Sequence, residues 1–266
     1  MTLSTPELLD ALDSAITIPV IPFREGAIDY DGHAKNIDYL MRANRLEGGR
    51  KRVISVAGTS LIHHVEPDEQ TRIFDESGQV MGKEGVLMSA VVPNPIKTAG
   101  QLVEEQSRLP RPPDVYLVMP LGGTYGPDGL YQGMMEFGER YGEACGARFL
   151  YYYRSPRDLE AIVRLLNDSP HFVGVKIGTG EEDVRPMIEA VGQNALVIWG
   201  IGDRSTAAAE LGAKGHTSGI AVLVRVQATP STTPSVAAIY ATARKSRGRR
   251  RRAGRDPLCQ WPYVQL

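Results

Sequence analysis

Cysteine is scarce in this chain, which has only Cys145 and Cys259 among its 266 residues. This pair has neither the spacing of metal ligands nor the density of a disulfide scaffold, so we expect a protein of a reducing compartment. Residues 1–7 also lack the basic and apolar segments that begin a secretory signal peptide. The sequence therefore predicts a cytoplasmic location.

Long apolar runs and a net charge are lacking as well. No stretch approaches the apolar length of a transmembrane helix, so we expect no membrane partner. Lys and Arg total 30 against 31 Asp and Glu, and the formal net charge of −1 argues against nucleic acid as a partner. A hydrophobic content of 42% is that of an ordinary globular protein.

Short apolar runs alternate with amphipathic, helix-like segments along the chain. The predicted strands are 15–21, 53–57, 86–92, 115–119, 148–153, 172–177, 196–199 and 216–223. The predicted helices are 31–44, one that starts at 66, 98–108, 130–142, 158–167, 183–191 and 205–211. Eight strands in this alternation indicate a parallel sheet closed as a (β/α)₈ TIM barrel, which is an α/β fold. A doubly wound open sheet is the alternative, but residues 19–23 lack its glycine-rich phosphate turn.

Lys176 interrupts the apolar strand 172–177. Burial of an amine disfavours its charged form and lowers its pKa, and a neutral lysine amine is a nucleophile that condenses with ketones. The alternative is a strand-end lysine that reaches solvent or pairs with Glu181 or Glu182. The strand alone does not decide between the two.

Other polar residues follow the ends of other predicted strands. Thr59 and Ser60 follow the second, Tyr151–Tyr153 end the fifth, and the turn Gly200–Asp203 follows the seventh. Because TIM barrels carry their chemistry at the C-terminal ends of the strands, these groups are expected to converge with Lys176.

The residues from Ala15 to Leu223 resemble the superfamily of dihydrodipicolinate synthase and N-acetylneuraminate lyase. The motifs that carry the resemblance are Gly58–Ser60, Pro120 with Gly129–Tyr131, the three tyrosines ahead of Val173–Lys176, Gly200–Asp203 and Gly215–Gly219. The resemblance implies a Schiff base between Lys176 and pyruvate or another 2-oxo acid, with no metal and no organic cofactor. It also implies a homo-oligomer, either a dimer or a tetramer.

The resemblance further implies roles for two sets of polar residues. Gly58, Thr59 and Ser60 would bind the substrate carboxylate, since hydroxyl and backbone N–H groups hold carboxylates well. A simple turn after the second strand is the alternative for these three residues. The proton shuttle would be a tyrosine of the fifth strand that begins a Tyr-x-x-Pro pattern.

The spacing of that pattern favours Tyr153, with Tyr151 as the second choice. Tyr151 and Tyr153 share one face of a strand, so Tyr152 is expected to point the other way unless a bulge intervenes.

Three departures from the family pattern limit the prediction. Leu61–His64 replace the usual Gly-Glu, Leu121 and Gly122 replace paired tyrosines, and Arg154 replaces an asparagine. These changes argue against the lysine-pathway synthase reaction and favour a sugar-acid aldolase or dehydratase. His63 and His64 are not expected to bind a metal, because adjacent side chains point apart and no third ligand is suitably spaced.

The composition changes after Leu223. We therefore divide the chain into a barrel domain, 1–223, and an atypical basic tail, 224–266, which contains the run Lys245–Arg252. The tail is either an anchor for nucleic acid or acidic surfaces, since arginine clusters bind phosphates, or a disrupted sequence, and the abrupt change favours disruption. The predicted function is a Schiff-base lyase, and the alternative is an inert barrel that binds a 2-oxo acid or a protein partner.

Overall fold

The computed structural model describes residues 3–43, 45–46, 50–202, 205–219 and 227–228. Eight parallel strands form a closed barrel. They are β1 Ala15–Thr17, β2 Val53–Val56, β3 Val86–Val91, β4 Val115–Val118, β5 Phe149–Tyr153, β6 Phe172–Ile177, β7 Leu196–Trp199 and β8 His216–Ser218. A short antiparallel hairpin, Phe23–Arg24 with Ala27–Ile28, follows β1, and Arg45–Leu46 pairs with Gln227–Ala228.

The helices surround the barrel. They are α1 Thr5–Leu12, α2 Tyr30–Ala43, α3 Pro67–Met81, α4 Ile96–Ser107, α5 Pro127–Cys145, α6 Leu159–Asp168, α7 Val184–Val191 and α8 Ser205–Glu210. Short 3₁₀ turns cover Gly58–Ser60, Ile62–His64, Pro156–Asp158 and Glu181–Asp183. Within the described ranges, no helix is long and apolar enough to cross a bilayer.

The barrel closes between its first and last strands, where Ile16 pairs with Thr217. Each remaining strand pairs with its neighbours in chain order, so all eight C-terminal ends lie at one end of the barrel. The predicted (β/α)₈ TIM barrel is confirmed. The open-sheet alternative is wrong, because β1 contacts both β2 and β8.

The clearest differences from the prediction concern one helix and two strands. The predicted eighth strand, 216–223, is observed at His216–Ser218, and residues 220–223 lie outside the described residues. Helix α1 was not predicted, although its capping box is visible in the sequence: Ser4 accepts from the Glu7 backbone and Glu7 accepts from that of Ser4. Strand β1 ends at Thr17 rather than at residue 21, because Pro19 has no N–H to donate to a ladder.

The predicted division at residue 223 cannot be followed in the structure. Of the tail 224–266, only residues 227–228 are described, and Asp203 also lies outside the described residues. The two-domain division therefore stays a prediction.

Candidate active site

Lys176 lies inside the barrel near the C-terminal end of β6. Its neighbours in register are Tyr152 on β5 and Ile198 on β7, and its exposed fraction is only 5%. Burial, and after it the positive charge of Arg154, lower the pKa of Lys176 from 10.5 to about 8. The amine contacts an aromatic ring, and none of the ion pairs among the described residues includes Lys176, so neither the solvent-reaching nor the ion-paired alternative describes it.

Tyr152 is the tyrosine that meets Lys176. The Nζ atom of Lys176 lies 4.1 Å from the centroid of the Tyr152 ring. The Tyr152 hydroxyl accepts a hydrogen bond of 3.1 Å from Nη1 of Arg154. This corrects the prediction that Tyr153, or failing that Tyr151, stands at the lysine.

Tyr151 and Tyr153 do share a face, as alternation predicts, but it is the outer face. Both pack in the apolar layer between strands and helices, together with Phe137 of α5 and Met187 of α7. Burial raises the pKa of both hydroxyls, and nearby Asp183 raises that of Tyr153 further. The Tyr-x-x-Pro spacing was misleading because the inward face of β5 is set by its pairing with β6, where Tyr152 lies opposite Lys176.

The segment Gly58–Ser60 forms a 3₁₀ turn directly after β2. The Ser60 hydroxyl is fully buried, donates to the carbonyl of Pro19 at 2.5 Å and accepts from the backbone N–H of Ala57 at 3.3 Å. The Ser60 hydroxyl therefore holds the turn against the segment after β1, and its only proton is already donated. This corrects the expectation that the hydroxyl donates to a substrate carboxylate. The Thr59 side chain is exposed and remains open to a ligand.

Two glycines leave the room that Lys176 and its neighbours need. A Cβ at Gly200 would lie 2.3 Å from the carbonyl oxygen of Ile177 and 3.0 Å from Cε of Lys176. A Cβ at Gly178 would lie 2.5 Å from the ring of Tyr152 and 2.6 Å from Cδ of Arg154. Any larger residue at either position would displace the lysine or its aromatic neighbour.

In the loop after β4, Leu121 and Gly122 follow Pro120 at the positions where the family resemblance implies paired tyrosines. Gly122 instead forms two hydrogen bonds with Asn94 of the loop after β3, at 2.9 and 3.2 Å. Tyr125, farther along, donates to Asp158 at 2.7 Å. Arg157 covers the Tyr125 ring at 4.5 Å and pairs with Asp158 at 3.1 Å. These bonds join the loops after β4 and β5.

Metal ligands do not gather in the described part of the chain, where no group of three His, Cys, Asp or Glu side chains is suitably placed. His63 and His64 are both exposed in the 3₁₀ turn that follows Leu61. Partial burial of the ring and the neighbouring His64 lower the pKa of His63.

No protein-family model matches this chain, and no curated protein does. Its fold matches that of dihydrodipicolinate synthase from Oceanobacillus iheyensis with a TM-score of 0.72 at 18% identity, over 92% of this chain and 78% of the other. The synthase from Bacillus clausii matches with a TM-score of 0.69 at 20% identity, over 81% of this chain and 71% of the other. The synthase from Acinetobacter baumannii in complex with pyruvate matches with a TM-score of 0.68 at 21% identity, over 79% of this chain and 71% of the other. The resemblance indicated by the motifs is thereby confirmed for the fold.

Proposed function

We propose that this chain is a Schiff-base-forming lyase that acts on pyruvate or a longer 2-oxo acid. The observation that carries the proposal is the buried amine of Lys176, held against an aromatic ring where a TIM barrel has its chemistry. A pKa of about 8 leaves roughly a tenth of this amine neutral at pH 7, against ~0.03% for an ordinary lysine. A buried lysine without this purpose would carry an avoidable desolvation cost.

The proposed reaction starts with attack of the neutral Nζ of Lys176 on the ketone carbon. The carbonyl oxygen takes up a proton while the amine nitrogen loses one, which gives a carbinolamine. Its hydroxyl then takes up a second proton and leaves as water, so that the nitrogen forms the protonated imine. This imine accepts the electron pair of a broken carbon–carbon bond, or of a carbon–hydrogen bond whose loss precedes carbon–oxygen cleavage. The reaction therefore requires no metal and no organic cofactor.

Tyr152 replaces Tyr153 as the proposed proton shuttle, because its hydroxyl belongs to the group of side chains around Lys176. For the substrate carboxylate we propose the exposed Thr59 together with the turn Gly58–Ser60. One of the structural neighbours holds pyruvate, which makes pyruvate the first ligand to test. By the same resemblance we propose a homo-oligomer, dimer or tetramer, which light scattering would measure.

Trapping with borohydride tests the proposal. Intact-protein mass spectrometry after incubation with pyruvate and borohydride should show one reduced pyruvyl group on the native chain and none on Lys176→Ala. Lys83→Ala is the matched control, because Lys83 is an exposed lysine next to the opposite, N-terminal end of β3. It should be modified as fully as the native chain. Folded native protein that takes up neither pyruvate nor longer 2-oxo acids would refute the lyase proposal.

An inert barrel that binds a 2-oxo acid or a protein partner is the second candidate. Two observations favour it: Leu121 and Gly122 stand where the family has tyrosines, and the Ser60 hydroxyl is engaged with Pro19. Calorimetric binding of a 2-oxo acid without trapping or turnover would support this candidate over the enzyme.

A further inference from the structure

Arg154 lies beside both side chains that the proposed reaction uses. It follows Tyr152 by two residues, so it continues the same face of the chain beyond β5. Its Nη1 lies 3.1 Å from the Tyr152 oxygen, and its guanidinium carbon lies 5.5 Å from the centroid of that ring. Lys176 lies 4.1 Å from the same centroid. Tyr152 is thus in contact with two cationic side chains.

Gly178 maintains this arrangement. It follows Lys176 by two residues, and the place where its side chain would stand is occupied by the Tyr152 ring and by Cδ of Arg154. The aliphatic stem of Arg154 is therefore packed where the barrel opens, although the residue as a whole is exposed. The contact with Tyr152 depends on this packing as well as on one hydrogen bond.

Arg154 also contributes a positive charge beside Lys176. Among the described residues no acid forms an ion pair with Arg154, whereas Arg157, three residues later, pairs with Asp158. A fixed cation near an amine disfavours the protonated amine, and the charge of Arg154 is the second cause, after burial, of the lowered pKa of Lys176. A neighbouring cation is a known way to activate a nucleophilic lysine.

The hydrogen bond also orients the Tyr152 hydroxyl. A guanidinium group can only donate, so the Tyr152 oxygen accepts from Arg154 and its own proton must point elsewhere. That proton is then available to a group bound at Lys176. Positions 121 and 122 of this chain lack the tyrosines implied by the resemblance. Among the described residues, Arg154 is a side chain that orients the Tyr152 hydroxyl.

We propose that Arg154 is a positioning residue which acts through Tyr152 and Lys176, an inference that rests on the proposed Schiff-base chemistry. It fixes the shuttle hydroxyl and supplies the fixed charge beside the nucleophile. Removal of Arg154 should therefore slow imine formation more than it weakens binding of the 2-oxo acid.

The first test compares Arg154→Met with Arg164→Met. Arg164 covers the Tyr131 ring at 4.1 Å and pairs with the exposed Asp128 on the outside of the barrel, so it offers the same kind of contact away from Lys176. The rate of borohydride trapping at pH 7 should fall about tenfold or more in Arg154→Met, as expected if the pKa of Lys176 rises by a unit. It should not change in Arg164→Met. Arg154→Lys, which keeps the charge, should recover most of the rate.

The second test needs no substrate. Competitive acetylation of Lys176 at a series of pH values, followed by peptide mass spectrometry, reports the pKa of the amine directly. The midpoint should move upward in Arg154→Met and stay unchanged in Arg164→Met. The same midpoint and the same trapping rate in native protein and Arg154→Met would overturn the inference. If native protein traps no 2-oxo acid, the proposed function fails, while the acetylation midpoint still decides whether Arg154 acts on Lys176.

Discussion

Replacement of Lys176 by methionine is expected to stabilise the folded protein at neutral pH. Lys176 is 5% exposed, and its pKa in the folded state is about 8 instead of 10.5. The unfolded chain therefore holds this proton more tightly than the folded chain does, and carrying it at pH 7 costs the folded state free energy. Each pH unit between the two values corresponds to ~1.4 kcal/mol, so the full cost is about 3 kcal/mol.

The sign of the pH dependence follows from the same values. Below pH 8 both states carry the proton, and the full cost is present. Between pH 8 and 10.5 the unfolded chain keeps the proton while the folded chain has lost it, so the stability of the native protein rises with pH. Above 10.5 neither state is protonated and the cost disappears.

Urea unfolding of both proteins from pH 7 to pH 10 measures the effect. At pH 7 Lys176→Met should be more stable than the native chain by up to about 3 kcal/mol, and the difference should shrink as the pH rises above 8. The control Lys83→Met changes an exposed lysine and should stay within about 0.5 kcal/mol at every pH. A methionine variant that is less stable at pH 7, or a difference that does not change with pH, would refute the reasoning.

Two further predictions concern the tyrosines and the turn after β2. Tyr152→Phe should slow borohydride trapping by ~10²-fold, the typical contribution of a positioned proton donor, while Tyr153→Phe should leave the rate unchanged; the reverse result would restore the original assignment. Leu61 has a left-handed backbone (φ 64°) and is 51% exposed, so Leu61→Gly should raise the free energy of unfolding by up to about 1 kcal/mol. Leu61→Ala, which keeps the strained backbone, should not, and equal effects of both variants in urea unfolding would contradict the explanation.

The sequence was sufficient for the fold because periodicity and strand order are local signals. Strands β6 and β7 begin and end where the apolar runs 172–177 and 196–199 do. The sequence also identified Lys176 as a candidate functional residue, since a charged residue in a buried strand is rare. Helix α1 was missed although Ser4 and Glu7 showed its capping box, because its eight residues precede the first strand of the repeating pattern.

The details of the site depend on contacts between distant residues, which a single sequence does not show. Tyr152 faces Lys176 because the pairing of β5 with β6 shifts by one residue between Phe149 and Leu150. The engagement of the Ser60 hydroxyl likewise depends on Pro19, 41 residues earlier. In both cases the sequence motif predicted the segment that lies at the site. The tertiary contacts decide which hydroxyl groups of that segment can reach a substrate.

The location of the trapped adduct tests the central claim most directly. Trypsin does not cleave after a modified lysine, so reduced pyruvyl-Lys176 should appear in an uncleaved peptide of residues 165–204. The account predicts the adduct on Lys176 of this peptide, at close to one group per chain. An adduct on another lysine, or its absence from native folded protein treated with pyruvate and longer 2-oxo acids, would contradict the account.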